Sequence, residues 1–248
     1  MKKKIAIIGS GIGGLTAANL LIKNSDFEVI VYEKEKMLSL EEGYGIQLAP
    51  NSISILNKIG FRNIDKNHIF NPLKLNFYSD YNKICDLDLT KFNSDNIKYT
   101  TLKRSTLIQF LKEKLLSNSV IFGKKISNVK QINGKFNIHF IDGSNDQVDY
   151  LVVSDGVFSD TKSAIEKSFS KPNYYGSIAI RARIKAQDIS NLNNNNISLI
   201  MGSDAHLVLY PINQQKEINL VCIIRNKSKD NNSIKTILEN TIFKENKN

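Results

Sequence analysis

A chain of 248 residues and 28.0 kDa can bury a sizeable hydrophobic core without disulfide or metal staples, as one large domain or as one domain with a smaller partner. Its net charge of +10 comes from 29 Lys and only 5 Arg, and Lys, Asn and Ile exceed a third of the residues, so the excess is a bias spread along the chain. Nucleic-acid binders concentrate cations on one face, so that class is set aside.

Cys85 and Cys222 stand in no CxxC spacing, and His68, His139 and His206 are equally scattered, which points away from a disulfide scaffold, a zinc site or a metalloprotease. No run of 18 apolar residues is present, and the first apolar run breaks at Gly9 after four residues, too short for a secretory signal. A cytoplasmic protein without a transmembrane segment is expected.

In chain order, Ile5-Ala6-Ile7-Ile8 predicts a strand covered on both faces, because it lacks polar alternation. Gly9-Ser10-Gly11-Ile12-Gly13-Gly14 follows, then a helix with Leu15, Ala18, Leu21 and Ile22 at helical spacing. A second buried strand, Val29 to Tyr32, ends at Glu33. These segments form one βαβ unit. A helix is predicted over about Ser52–Ile59, sheet over 73–90, and a helix from Arg104 to Leu116.

Two extended runs within Ile126–Ile141 meet at Asn133-Gly134, a pair suited to a type I′ turn. Tyr150–Val153 reads as another buried strand, ending in Ser154-Asp155-Gly156. Longer strands follow at Ser177–Ala186, Ile197–Met201, His206–Tyr210, ended by Pro211, and Ile218–Ile224. Asn191–Asn196 reads as a loop, and Ser233–Phe243 as a weak terminal helix. Met37, Leu38, Leu40, Tyr175 and Tyr210 read as packing residues.

Gly9-x-Gly11-x-x-Gly14 sits where a dinucleotide fold requires it. Gly9 permits the turn, Gly11 leaves room for a pyrophosphate, and Gly14 lets helix and strand approach closely. The alternative is a glycine loop that only packs. Glu33, 19 residues after Gly14, can accept hydrogen bonds from ribose hydroxyls and would repel a 2′-phosphate, favouring FAD or NAD over NADP. Local pattern alone does not separate FAD from NAD.

Four stretches carry a wider resemblance: 7–14 with Val31-Tyr32-Glu33; Gly43 to Asn51 leading to Leu56 and Gly60; Leu102-Lys103-Arg104 with Leu107; and Asp149 to Ser159. On these, the chain resembles the single-component FAD-dependent aromatic-ring hydroxylases, especially the salicylate hydroxylase-like and ubiquinone-biosynthesis hydroxylase branches. The resemblance spans roughly residues 4–225. It implies an α/β fold with a Rossmann-like FAD-binding domain of the glutathione-reductase-like class, at 1–70 and 101–170. A β-rich substrate domain is inserted at 71–100 and 171–232, and 233–248 forms a weak terminal helix and tail.

The resemblance further implies cofactor contacts at Gly9, Gly11, Ile12, Gly13, Gly14, Glu33, Gly45, Arg104 and Asp155. Arg104 opens an apolar helix, where a cation opposes the helix dipole, so a negative ligand or plain surface exposure must account for it. Asp155 has a cofactor contact or turn formation as its alternatives, Gly45 a close flavin approach or a simple turn, and Ser159 a helix cap. Arg181 is the candidate for steering an acidic aromatic substrate, against a solvated strand charge.

The implied reaction is hydroxylation of an aromatic substrate with O2 and NADH or NADPH through FAD. No metal is implied, and no catalytic base can be named. Family members continue into a Gly-Asp segment that this chain lacks, since Ser203-Asp204 sits among strands, so the chain looks C-terminally incomplete. Impaired turnover in isolation and a separately encoded C-terminal fragment are expected. The alternatives are another FAD- or NAD-dependent oxidoreductase and a non-catalytic nucleotide-binding remnant.

Overall fold

The computed structural model describes residues 1–38, 40, 44–79, 82–166, 172–188 and 194–226. Gly43, positions 191–193 of the asparagine loop and the terminal helix expected at 233–243 lie outside the described residues. The first elements are β1 (Lys3–Ile8), α1 (Ile12–Leu21), β2 (Phe27–Tyr32), β3 (Gly45–Leu48), α2 (Pro50–Asn57), β4 (Ile69–Phe70), β5 (Lys74–Ser79), β6 (Asn82–Asp88) and β7 (Thr100–Lys103). Then come α3 (Arg104–Glu113), β8 (Val120–Ile121), β9 (Ile126–Ile132), β10 (Lys135–Phe140), β11 (Asn145–Val148), β12 (Tyr150–Val153) and α4 (Asp160–Ile165). Four long strands close the described chain: β13 (Ser177–Lys185), β14 (Ile197–Met201), β15 (Ala205–Ile212) and β16 (Glu217–Arg225).

These elements group into two compact units. The first takes its residues from Met1–Gly43, Ser54–Ile64 and Arg104–Asn173, the second from Tyr44–Ile53, Asp65–Lys103 and Tyr174–Asn248. Residues 44–53 and 65–70, expected with the dinucleotide fold, therefore group with the second unit. Their strands pair there, β3 and β4 each lying antiparallel to β7.

In the first unit a parallel sheet has the order β12-β1-β2-β8. Ile5 of β1 faces Val29 on one side and Tyr150 on the other. Residues Ile5 to Ile8 are between 0% and 5% exposed, as their unbroken apolar run predicts for a strand covered on both faces. Alternation sends Ala6 and Ile8 to one face, where they pack with Tyr32 against Val129, Ile138, Phe140 and Val148 of the antiparallel sheet β11-β10-β9. Helix α1 packs on β1 and β2 and beside α3. Each fully buried aliphatic side chain contributes roughly 1.5–3 kcal/mol.

Two details tie α1 into place. A Cβ on Gly14 would lie 2.0 Å from the Gly9 carbonyl oxygen, so only glycine lets the helix start this close to the strand end. The buried Asn19 amide donates to Leu15 O and to Leu111 O, both at 2.8 Å. Leu111 lies in the last turn of α3, whose carbonyls lack intrahelical partners, so Asn19 caps one helix from the next. The hairpin turn forms as its dipeptide predicts: Asn133 and Gly134 have φ of 51° and 76°, between paired Ile132 and Lys135.

In the second unit the six-stranded sheet runs β13-β16-β15-β14-β5-β6, antiparallel except between β14 and β5. Leu89, Ile197, Tyr210 and Ile212 form its buried cluster. Pro211 does not end β15, which continues to Ile212. The β14 ladder begins only at Ser198 opposite Leu209, so the prolyl nitrogen lies past that ladder, while the Pro211 carbonyl accepts from the Thr101 hydroxyl. Met37 and Leu40, expected to pack, are 73% and 40% exposed, and Tyr175, expected within the sheet, is 97% exposed just ahead of β13.

Gly14→Ala is expected to destabilise the protein by about 3 kcal/mol, because the added methyl meets backbone that cannot move aside. Asn19→Ala should cost about 2 kcal/mol through the uncapped Leu111 carbonyl. Urea unfolding followed by circular dichroism checks both. Gly11→Ala is the control, within about 0.5 kcal/mol of the parent, since a Cβ there meets nothing within 4 Å.

Candidate functional site

The carboxyl ends of β1 and β12 open into a cavity of about 240 Å³. Strand order makes this opening. The chain leaves β1 through α1 to β2 on one side, while β12 lies on the other, so the loops after β1 and β12 diverge at a switch point. Gly9, with φ of 100°, turns the chain out of β1 against the Ser154 carbonyl and the Asp155 backbone. A Cβ there would lie 2.6 Å from Ser154 O.

The turn delivers the N-terminus of α1 to the cavity. Gly11 is its N-cap residue with no side-chain cap, and the first turn carries no acidic residue. Amide groups in that turn have no intrahelical acceptor, so the end carries partial positive charge. Gly11 and Gly13 have open space where a side chain would be.

Glu33 lines the cavity at the end of β2. Its Oε2 accepts from the Ser10 amide at 2.8 Å and the Ser10 hydroxyl at 2.7 Å, and its Oε1 from the Glu35 amide at 3.0 Å. Burial alone would raise its pKa, but the bonds from Glu35, Ser10 and Lys34 outweigh it and hold the carboxyl below its ordinary range. Oε2 is thus committed to Ser10, and remaining acceptor capacity lies on Oε1.

Arg104 also lines the cavity, as the first residue of α3, and has no hydrogen-bond or ion-pair partner among the described residues. Its charge faces the unfavourable end of the helix dipole, so an anion in the cavity would relieve it. Asp155 lines the cavity as well. Its Oδ2 accepts from the Thr161 amide at 3.2 Å and the Thr161 hydroxyl at 2.7 Å, so the aspartate organises the start of α4 rather than its own backbone. Asp155 Oδ1 and the Ser154 hydroxyl are buried without a protein partner. Ser159 caps α4, accepting from the Lys162 amide at 3.0 Å.

The antiparallel sheet supplies a wall that sequence reasoning missed. Lys124 donates its amide to Glu33 O at 2.8 Å, and its amine bonds Asp142 at 2.6 Å and Ser144 at 2.7 Å, 5.3 Å from the Phe140 ring. The Asp142 carboxyl is held well below its usual range, chiefly by Lys124 and then by Ser144. Tyr32 contributes ring surface, while its hydroxyl donates to Asp146 Oδ2 at 2.5 Å. In the sequence the Asp142-Gly143 pair marks a turn, but a turn signal says nothing of what lies beside it.

Gly45 is not among the cavity-lining residues. Its amide donates to Asn219 Oδ1 at 2.6 Å within the second unit, and a Cβ would lie 2.8 Å from Asn219 and from the Tyr210 ring. Packing therefore requires a glycine at this position. Arg181 is exposed on β13, its guanidinium 6.0 Å from the Tyr44 ring centroid. Tyr210 is buried, and burial raises its pKa.

Tyr32 acts here as a wall, which separates it from a ligand contact. Tyr32→Phe should cost about 1.5–3 kcal/mol of stability through the lost bond to Asp146, measured by urea unfolding, while ligand affinity stays within about twofold.

A family model described as an NAD(P)-binding Rossmann-like domain matches residues 7–41. The 6-hydroxynicotinate 3-monooxygenase of Pseudomonas fluorescens is 29% identical over 185 residues, covering 72% of this chain and 47% of the relative. A salicylate hydroxylase of Pseudomonas putida is 21% identical over 243 residues, covering 91% of this chain and 55% of the relative. The crystal structure of Klebsiella pneumoniae HpxO complexed with FAD and uric acid superposes with a TM-score of 0.80 at 19% identity, covering 96% of this chain and 61% of that one. The chain thus spans about half the length of the curated relatives it matches. The glycine turn, the acidic strand end and the Asp-Gly turn thus stand around one cavity, in a chain that is similar along most of its length to these two ring-modifying enzymes and shares the fold of the third protein.

Proposed function

We propose that the chain binds FAD in the cavity between β1, β2 and β12, as part of a monooxygenase that uses NADH or NADPH and O2 to hydroxylate an aromatic ring. The observation that carries this reading is the set of unmet demands around one cavity. An uncapped helix end and an unpaired Arg104 call for negative charge, and the orphaned Asp155 Oδ1 calls for a hydroxyl donor. Such demands fit a pyrophosphate with a ribose on one side.

When bound, the flavin supplies the redox chemistry that couples a reduced nicotinamide and O2 to ring hydroxylation. The chain's own residues hold and shield it. Amides of the turn from Gly11 through Ile12 and Gly13 to Gly14 receive pyrophosphate oxygens, with Arg104 as a counter-charge. Glu33 Oε1 accepts from an adenosine ribose hydroxyl, and Asp155 Oδ1 from another hydroxyl of the cofactor. Ile8, Tyr32 and Ile126 exclude water from the adenosine side.

The similarity of the chain to hydroxylases of nitrogen-containing and carboxylated rings supports an aromatic substrate. Arg181 is proposed to draw an anionic ring towards the second unit. The cytoplasm is the proposed location. Among the described residues no helix is long and apolar enough to cross a membrane.

The test is cofactor discrimination. FAD should bind at least about tenfold more tightly than FMN, because FMN lacks the adenosine half that Glu33 receives. Glu33→Ala should weaken FAD by about 1.5–3 kcal/mol, and Gly11→Val should abolish retention by filling the pyrophosphate space. Arg104→Lys should still lose affinity, since the point charge lacks the planar fork. Fluorescence titration measures all four, and equal affinity for FAD and FMN would refute the assignment.

A further inference from the structure

Ser10 is buried, 3% exposed, in the middle of the glycine turn, a position whose neighbours are chosen for the absence of side chains. Its amide and hydroxyl both donate to one atom, Glu33 Oε2, at 2.8 and 2.7 Å. Two donors occupy both acceptor directions of that oxygen, and the Glu35 amide takes one direction of Oε1. A carboxylate held at three points cannot rotate about its final torsion without breaking bonds to a charged acceptor.

We propose that Ser10 is a positioning residue for ribose recognition: its hydroxyl clamps Glu33 Oε2 so that the carboxylate presents Oε1 to a hydroxyl of the adenosine ribose. The proposal rests on the FAD reading above and adds to it the residue that fixes the recognising group.

The other charged or titratable groups around the cavity have partners of their own or none, and none is hydrogen-bonded to the Glu33 carboxylate by its side chain. Lys124 bonds Asp142, Lys125 pairs with Asp160 at 3.3 Å, Tyr32 bonds Asp146 and Asp155 bonds Thr161. Lys34 and Arg104 complete the lining. These fixed charges act alike on Glu33 with or without the Ser10 hydroxyl, so removing that hydroxyl isolates its effect. The sign follows from the direction of the shift. A Glu33 pKa below the ordinary value keeps the carboxylate charged, and ribose binding intact, until the pH falls through that lowered pKa; losing a donor raises the pKa and moves the loss to higher pH.

The experiment uses the full chain in two measurements. Carbon-detected NMR of the Glu33 carboxyl follows its titration without ligand, and equilibrium dialysis with FAD between about pH 8 and pH 3 follows binding. Ser10→Ala should raise the Glu33 midpoint by about one pH unit and move the acid limb of FAD binding by the same amount. Ser10→Thr should restore the parent titration, and Glu33→Gln should bind weakly at every pH with no such limb. Circular dichroism at each pH confines the comparison to folded protein. A Glu33 midpoint in Ser10→Ala within about 0.2 pH units of the parent overturns the role of Ser10 while leaving the FAD reading in place. Failure of the parent protein to retain FAD, with the Glu33 midpoint still moving, overturns the FAD reading instead.

Discussion

The site depends on one contact between two glycines. The carbonyl of Gly9 lies where a side chain on Gly14 would begin, and this closeness sets the first turn of α1 against the end of β1. Because the helix starts there, its N-cap residue Gly11 lines the cavity, and Leu15 and Ala18 reach full burial within the first two turns. Gly9 is constrained in the same place from the other side, by the backbone of Ser154 and Asp155 at the end of β12. Three chain segments thus meet at van der Waals distance with no side chain between them. The ligand demands at the cavity follow from that convergence.

Around this centre the protein balances charge by geometry. An acidic group, Glu33, sits among Lys34, Arg104, Lys124 and Lys125. Long-range attraction among these groups does not decide their arrangement; local hydrogen bonds do. Glu33 is bound by amides and a hydroxyl of its own neighbourhood, and Lys124 is drawn away to Asp142 and Ser144 on the antiparallel sheet. Arg104 is left with free donors where a helix dipole disfavours a cation. The result is a cavity with an acceptor at one position and donors at others, matching a ribose beside a pyrophosphate.

Much of this was legible in the residues. The unbroken run Ile5–Ile8, the spacing of three glycines and an acid 19 residues further on specify a strand, a turn, a helix and a second strand, because each signal is local. Asn133-Gly134 announced its turn for the same reason. Pro211 misled, since the cost of a missing amide depends on whether a neighbouring strand would have used it, and that neighbour comes from a distant segment. Gly45 likewise depends on a distant residue: its small size answers to Asn219, 174 residues away.

The sequence by itself therefore determined the elements, the βαβ unit and the residue types that any dinucleotide site of this pattern needs, because backbone conformation and helix-end polarity are properties of a few consecutive residues. The tertiary structure decided which acceptors remain open to a ligand. Only the folded chain brings the Ser10 hydroxyl to Glu33, Thr161 to Asp155 and Lys124 to Asp142, and a hydrogen bond made within the protein removes a lone pair or donor from the site. The sequence lists the polar groups that could recognise a nucleotide, whereas the fold sets which of them are left unpaired to do so.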